Sequence, residues 1–553
     1  MINIICENNS STKQYKFGTS LKEISEDQNI KIEYPILGAI VNNKLKELSY
    51  RIYKPKSVKF IDITHPQGMR MYVRSLSFVL EKAVKGLYPY ANLLIKHSVS
   101  KGYYCEIEGL HTELSNEMVF EIGDRMRTII KKDIPFTREE ILTTEAIDLF
   151  EKNNFIEKSK LFKNRYQLYT SIYYLENTID YYYGFLVPST GYLKVFDLVK
   201  YYDGMLLMVP KANKPNELED IVLQNKMFDI FKEYKDWGEI LGVGTVGSIN
   251  EMVLKGDANE LIKISEALHE KKVAQIADKI FMQKGKIKLI LISGPSSSGK
   301  TTFAKRLAVQ LKVIGLKPVT LSLDNYFVNR ELTPKDKNGE YDFEAIEALD
   351  IKKFNTDIID LFNGEEIDLP KFSFETGKRF YDGSKLKING ENIIIAEGIH
   401  ALNPKLIPLI NDENTFKVYV SALTATSLDG HNRISTTDNR LIRRIVRDYR
   451  YRHYSALDTI KRWESVRAGE NKNIFPYQEN ADVMFNTALV YELGVLKKFV
   501  EPILKEVMPD KPEFDEASRL LKFFSYFTPI SEEEIPPTSI IREFLGGSSF
   551  NYK

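Results

Sequence analysis

Two periodicities divide this chain. Short apolar runs bounded by turn residues, the pattern of buried strands, alternate with stretches whose apolar residues return every three or four positions, the pattern of helices with one buried face. Near the N-terminus the runs Ile2–Ile5, Leu37–Val41 and Ser57–Asp62 lie close together, and residues 1–62 read as a small β-rich module of the β-grasp kind. Residues 63–230 combine a helical pattern at Tyr72–Leu87 with strand-like runs at Gly102–Glu108 and Gly184–Val187, which predicts an α+β domain. Residues 231–285 are mostly helical, amphipathic at Asn259–Ile280, and read as a helical connector. From 286 to 505 the alternation becomes regular. Leu289–Ser293, Val319–Leu323, Ile393–Ala396, Phe416–Val420 and Asp482–Phe485 are strand-like with helical sequence between them, which predicts an α/β unit on a parallel sheet. Residues 506–553 follow as a C-terminal extension.

Composition narrows the class without naming it. At 553 residues the chain exceeds what one core supports, and 28% charged with 43% hydrophobic residues is an ordinary globular balance. A net charge of +1 argues against a general nucleic-acid coat while leaving room for local basic patches. The apolar runs fall short of a membrane span, and Met1–Asn9 lacks the basic start and apolar stretch of a signal peptide. Cys6 and Cys105 alone cannot build a disulfide framework, so a reducing cytoplasm is the expected setting.

The candidate chemistry begins where the first of the five regular strands meets its helix. Residues 294–301 read Gly-Pro-Ser-Ser-Ser-Gly-Lys-Thr, the phosphate-loop pattern of P-loop NTPases, between the apolar Lys288–Ser293 and the helical Thr302–Leu311. Gly294 and Gly299 let the backbone wrap an anion, turning the N–H groups along Ser296, Ser297, Ser298, Gly299 and Lys300 towards phosphate oxygens, with Thr302 opening the helix. Lys300 is expected to bridge the phosphates of ATP or GTP, and the Thr301 hydroxyl to ligate Mg²⁺. Two of the other strands end in a carboxylate, Asp324 and Glu397. Ligands of open α/β sheets lie at the carboxyl ends of strands. One acid is therefore expected to orient or deprotonate an acceptor hydroxyl, and the other to hold Mg²⁺ directly or through water.

Further along, Arg440, Arg443, Arg444, Arg447 and Arg450 fall within an arc of about 120° on a helix, opposite Leu441, Ile442, Ile445, Val446 and Tyr449. A guanidinium stripe facing phosphates is expected, ending at Arg452; a solvated charged face and an RNA-binding stripe are other readings of the same spacing. Tyr454–Tyr477, with Arg462, Arg467, Gly469 and Lys472, reads as a mobile lid. Tyr341-Asp342-Phe343 and Phe372-Ser-Phe374 offer rings and an acid of the kind a ribose and flat base require, although Phe372 and Phe374 at period two also suit a strand's core face.

Together these residues resemble the uridine kinase branch of the phosphoribulokinase/uridine kinase family over about residues 286–500. The matching strings are Gly294–Thr301, Asp324-Asn-Tyr-Phe327, Tyr341-Asp342, Phe372-Ser-Phe374, Glu397-Gly398 and Arg440–Arg452. The resemblance implies Asp324 as base for the acceptor hydroxyl, Glu397 as a magnesium-side carboxylate, and Asp342 as a ribose ligand. It places Phe327, Phe372 and Arg444 at the substrate, and Arg447 and Arg452 at the phosphates. Two departures concern the base: Gly377 stands where uridine-cytidine kinases carry their pyrimidine-reading histidine, and Tyr454 replaces a lid arginine. Losing such donors weakens discrimination among bases. The N-terminal half resembles the front of threonyl-tRNA synthetase, residues 1–62 its TGS module and Met71 onward its second additional (editing) domain. Arg74 and Phe78 occupy that domain's first histidine pair, and Cys105 begins no Cys-x-x-x-His, so neither zinc nor deacylation is expected. The resemblance leaves this half a binding, regulatory or oligomerisation role, with tRNA or a regulatory ligand as partner and a homo-oligomer as one arrangement.

The expected activity is transfer of the γ-phosphate of ATP or GTP to a nucleoside 5′-hydroxyl. Two other readings use the same residues: a phosphoribulokinase-like kinase of another small alcohol, and a nucleotide-gated protein that holds tRNA with its first two domains.

Overall fold

The computed structural model describes residues 1–552 except Tyr166, residues 336–338 and Glu340. The first sixty residues form a five-stranded mixed sheet from β1 (Ile2–Cys6), β2 (Ser11–Tyr15), β3 (Gly38–Val41), β4 (Leu45–Glu47) and β5 (Lys56–Ile61), in the order β2-β1-β5-β3-β4. Alternation along β1 buries Ile2, Ile4 and Cys6 on one face, against helix α1 (Leu21–Asp27). A reciprocal capping box between Ser20 and Glu23 starts that helix.

Next, α2 (Pro66–Leu87) and α3 (Asn116–Lys131) pack with an antiparallel sheet made from β6 (Asn92–Val99), β7 (Gly102–Glu108), β8 (Asp197–Tyr201) and β9 (Gly204–Met208), ordered β8-β9-β7-β6. The expected strand at Gly184–Val187 is not one. Leu186 and Val187 are buried in this core, but the Val187 N–H bonds to the Ser75 hydroxyl of α2 at 2.9 Å instead of to a neighbouring strand. An apolar run satisfied by side chains reads as a strand and folds as a core-filling loop. Helices α4 (Asn225–Leu241) and α5 (Ala258–Phe281) then lead into the C-terminal half.

There β10 (Leu289–Ser293), β11 (Lys317–Ser322), β12 (Asn392–Glu397), β13 (Thr415–Ser421) and β14 (Val483–Asn486) form a wholly parallel sheet, ordered β11-β12-β10-β13-β14. All five residues of β10 are buried, as a strand covered on both faces requires. Three helices serve the site: α6 (Lys300–Val313), α7 (Thr436–Arg452) and α8 (Ala456–Asn473). The C-terminal extension contributes α9 (Phe514–Phe524) and the short α10 (Arg542–Leu545). Ile540 and Phe544 share an apolar cluster with Ile290 of β10 and Phe303 of α6, so this segment is part of the α/β core. Among the described residues no helix is long and apolar enough to cross a membrane.

The two halves are joined by buried charge. His431, in the loop before α7, contacts Asp180 at 2.7 Å and Glu81 of α2 at 3.4 Å, while Lys158 reaches Asp180 at 2.9 Å and Asp429 at 3.2 Å. Burial alone would lower the histidine, but Asp180, reinforced by Glu81, outweighs both that and the Lys158 charge and raises His431 to about 9. A raised folded-state pKa gives stability that is complete below the unfolded value of about 6.5 and is lost as pH climbs through about 9. We therefore expect thermal stability to fall between these limits in wild type but not in His431→Gln. The variant should be less stable at pH 6 by roughly 3–5 kcal/mol, the usual consequence of breaking a buried pair. Melting curves of both proteins across pH 6–9.5 check this, and parallel pH profiles would count against it.

Candidate functional site

The phosphate loop turns back on itself at the carboxyl end of β10, held by positive φ at Ser297 (58°) and Gly299 (83°). Gly294 is needed for a different reason: a Cβ there would lie 1.9 Å from the Val420 carbonyl of β13. The hydroxyls of Ser297 and Ser298 are buried without a hydrogen-bond partner, as in a cradle built for an anion. Lys300 opens α6, and its ammonium donates to the Pro295 carbonyl at 3.1 Å. Burial pulls its pKa below the ordinary lysine range, with Glu397 and Asp324 opposing.

The arginine helix departs from expectation. Arg440 and Arg443 are 2% and 0% exposed and point beneath the loop, not along a surface stripe. Arg440 makes a bidentate pair with Glu470 of α8, both oxygens at 2.9 Å from one guanidinium nitrogen, and Glu470 accepts from the Ser296 N–H at 2.8 Å. Arg443 pairs with Glu492 and donates to the Thr487 carbonyl at 2.8 Å, while the Thr487 hydroxyl donates to the Ser298 carbonyl at 2.6 Å. Arg450 packs on Gly546. The remaining three gather on one buried acid that sequence reasoning missed. Asp448 accepts from Arg447 at 2.7 and 2.8 Å and from Arg444 at 3.2 Å, with Arg452 at 3.7 Å. Arg444 also donates to the Ser296 hydroxyl at 2.8 Å. Most of the expected lid is likewise helix: α8 buries Trp463, Val466 and Glu470, so this stretch is anchored beside the loop.

The two strand-end acids meet at the loop. Glu397 accepts from the Thr301 hydroxyl at 3.3 Å and from the Ser322 hydroxyl at 2.9 Å. Burial, then the Asp324 charge, lifts Glu397 to about 7 against the pull of Lys300. A second raised carboxyl was not foreseen. Glu344 is lifted to about 7, by burial and then by Glu470, and its Oε2 is buried without a partner. Asp342 is committed locally, accepting from the Glu344 N–H at 3.1 Å, and Glu344 is the acid of that string that lies near Lys300, Asp324 and Arg444. Its signal was visible as the last residue of Tyr-Asp-Phe-Glu. Among the described residues no group of three or more His, Cys, Asp or Glu could hold a metal ion. Thr301 and Glu397 supply two oxygens, which fits Mg²⁺, an ion that keeps several waters and takes its other ligands from phosphates.

Phe327 is 7% exposed and packs with Phe372 (5.5 Å between centroids) and Phe374 (6.0 Å). The Arg452 guanidinium lies 5.5 Å over Phe374, which joins the end of α7 to this aromatic wall. Gly377 turns the hairpin between Lys371–Ser373 and Lys378–Phe380 at φ 70°, and a Cβ there would lie 2.6 Å from Arg330 Nε. Opposite, Glu543 of α10 accepts from the Thr302 hydroxyl at 2.6 Å and the Thr302 N–H at 3.3 Å, and the Tyr552 hydroxyl lies 2.9 Å from the same threonine oxygen. A separate cavity of about 590 Å³ lies between the β6–β7 sheet, α4 and residues 423–427. It contains none of the phosphate-loop residues, so the site is placed by its chemistry and not by cavity size.

Comparison with known proteins bears on each half separately. Residues 289–492 match the Phosphoribulokinase / Uridine kinase family, and the C-terminal half carries a P-loop kinase domain of that type. The N-terminal half is similar to threonine–tRNA ligases. The ligase of Desulforamulus reducens is 30% identical over 190 residues, 34% of this chain and 30% of the ligase. That of Orientia tsutsugamushi is 32% identical over 202 residues, 36% of this chain and 31% of the ligase. The chain thus spans under a third of the length of these relatives. Among solved structures, a possible uridine kinase from Bacillus stearothermophilus aligns at TM-score 0.28 and 17% identity, covering 39% of this chain and 98% of that one. D-glycerate 3-kinase from Cryptococcus neoformans aligns at 0.21 and 13%, covering 48% and 89%.

The Glu543 carboxylate holds helix-start donors of the kind that nucleotide phosphates use. Replacing it by the neutral isostere removes a competing charge worth about 1 kcal/mol, so Glu543→Gln should bind MgATP roughly fivefold more tightly. Calorimetric titration of both proteins checks this, and equal or weaker binding by the variant contradicts it.

Proposed function

We propose that this chain is a nucleoside kinase that transfers the γ-phosphate of ATP or GTP to a nucleoside 5′-hydroxyl, giving the nucleoside monophosphate. The observation that carries the reading is the placement of Asp324 and Glu397, both within electrostatic reach of Lys300, beside a loop whose Ser297 and Ser298 hydroxyls lack partners. Asp324 orients the acceptor hydroxyl and takes its proton. As the new oxygen–phosphorus bond forms, the bond from the γ-phosphorus to its bridging oxygen breaks and the nucleoside diphosphate departs. Lys300 and the Arg444, Arg447 and Arg452 fan meet the charge spreading over the phosphates. Thr301 and Glu397 would hold Mg²⁺, which would neutralise phosphate charge. Glu344 supports the acceptor side, where a buried carboxyl with a free oxygen suits a sugar hydroxyl next to the reacting one.

The base end favours a permissive site. Positive φ and the Arg330 side chain leave no room for a reading side chain at residue 377. The same observation supports a second reading in which the acceptor is another small polyol. The N-terminal half, by its likeness to threonine–tRNA ligases, is proposed to hold tRNA or a regulatory ligand. A cytoplasmic setting belongs to the same proposal.

A panel of nucleosides, sugar phosphates and simple polyols offered with MgATP, read by release of ADP, tests the acceptor. Turnover of several nucleosides with small differences among bases is expected; turnover of a polyol but of no nucleoside would falsify the nucleoside reading. Asp324→Asn should leave MgATP binding close to wild type and lower kcat by about 10²–10⁴, the usual contribution of a positioned base. Wild-type turnover in that variant removes Asp324 from the mechanism.

A further inference from the structure

Away from the kinase domain's site, basic side chains from five parts of the chain converge. Arg74 comes from α2, Arg138 from the strand Thr137–Leu142, and Arg165 from the turn after the helix Ile156–Lys163. Lys46 comes from β4 and Lys522 from α9. Shared partners show how close they lie. Arg74 donates to the Phe185 carbonyl at 3.3 Å, and the Arg138 guanidinium lies 5.4 Å over the Phe185 ring. Arg74 also lies 5.1 Å over Tyr183, and Arg165 lies 4.7 Å over Tyr526, one turn beyond Lys522. Burial and then the charges of Arg165, Arg74, Arg138 and Lys46 pull Lys522 down to about 7.

Little negative charge answers them. Arg138 has Glu47 at 3.3 Å and Glu140 at 3.5 Å. Among the described residues no carboxylate forms an ion pair with Lys46, Arg74, Arg165 or Lys522, and the Arg165 Nε is buried without a partner. Like charges held together cost free energy unless an anion completes the set. Lys522 is exposed, so an ion from solvent can reach the cluster.

We propose that this basic cluster binds a small phosphorylated ligand, with Arg74, Arg138, Arg165 and Lys522 as its anion-holding groups and Lys46 at the edge. Guanidinium forks fit phosphate oxygens in pairs, and the rings of Tyr183, Phe185 and Tyr526 keep those forks in plane. A surplus of this size calls for a ligand carrying at least two negative charges. An extended nucleic acid would use a longer basic track than these five side chains offer in a chain of net charge +1. The site is independent of the kinase reading and shares no residue with it. It does share a helix with the contact to α7, since Glu516 and Arg519 of α9 bind Arg70 and Asp438.

The test uses full-length protein carrying Lys300→Ala, which disables anion binding at the phosphate loop, titrated calorimetrically with pyrophosphate at low salt. Binding should survive Lys300→Ala and weaken about tenfold or more when Lys522→Ala or Arg138→Ala is added, since each removes a charge-assisted contact. Lys522→Ala should also raise the melting temperature of the unliganded protein, because it relieves repulsion; a lysine with a structural role would lower it. The proposal is overturned if pyrophosphate binding disappears with Lys300→Ala alone, or if neither added substitution changes it. Binding of bulk tRNA through these residues without any pyrophosphate binding also overturns it.

Discussion

Arg440 and Arg443 bring two full charges out of water to the underside of the phosphate loop, and the geometry of the loop hangs from their partners. Glu470, fixed by Arg440, holds the Ser296 N–H, and Thr487, fixed by Arg443, holds the Ser298 carbonyl. Buried pairs of this kind add little net stability compared with apolar residues of similar size, yet removing one partner strands the other and costs about 3–5 kcal/mol. Their value is positional. An anion cradle works only if its N–H groups already point inward, and two arginines committed to Glu470 and Glu492 impose that order before a ligand arrives. The next turns of the same helix then carry Arg444, Arg447 and Arg452 round to Asp448 above the loop. One helix therefore supplies both the floor and part of the ceiling of the site.

That helix is also the element through which the halves of the chain meet. The loop before it carries Asp429 and His431 into the buried cluster with Lys158, Asp180 and Glu81. Its first turn carries Asp438, which pairs with Arg519 of α9 at 2.8 Å, while Arg70 of α2 pairs with Glu516 of α9 at 2.8 Å. Asp515, at the start of α9, accepts from the Leu45 N–H of the first sheet at 2.8 Å. The chain is built less like beads on a string than like modules cross-braced on α7 and α9. A path of ion pairs thus runs from Arg70 in the N-terminal half to Asp438 in the first turn of the arginine helix.

Local chemistry was legible in the sequence and distant partnership was not. The parallel strands stood out because a strand buried on both faces is a continuous apolar run, and the phosphate loop because all its parts lie within eight residues. The arc of arginines was legible as an arc, but which members face the core depends on acids 30 and 49 residues away, and nothing in helical spacing reveals them. Asp342 and Glu344 sit in one short string, and only the turn geometry, which commits Asp342 to the Glu344 N–H, tells them apart. Glu543 lies 241 residues from Thr302, so its place over the start of α6 had no local sign at all.

The N-terminal half, similar to threonine–tRNA ligases, places two side chains whose chemistry shapes its surface. Phe78 is fully buried among rings, 5.9 Å from Phe136 and 5.8 Å from Tyr182, and Arg74 lies against Gly184 so closely that a Cβ there would be 2.2 Å from the guanidinium. A guanidinium repels a cation as strongly as it attracts an oxyanion. Arg74 therefore biases this surface towards an anion. Lys522 and Arg165 extend that bias, one of them from α9, a helix the resemblance to the synthetase does not cover, so the bias is shared between segments that lie far apart in the chain.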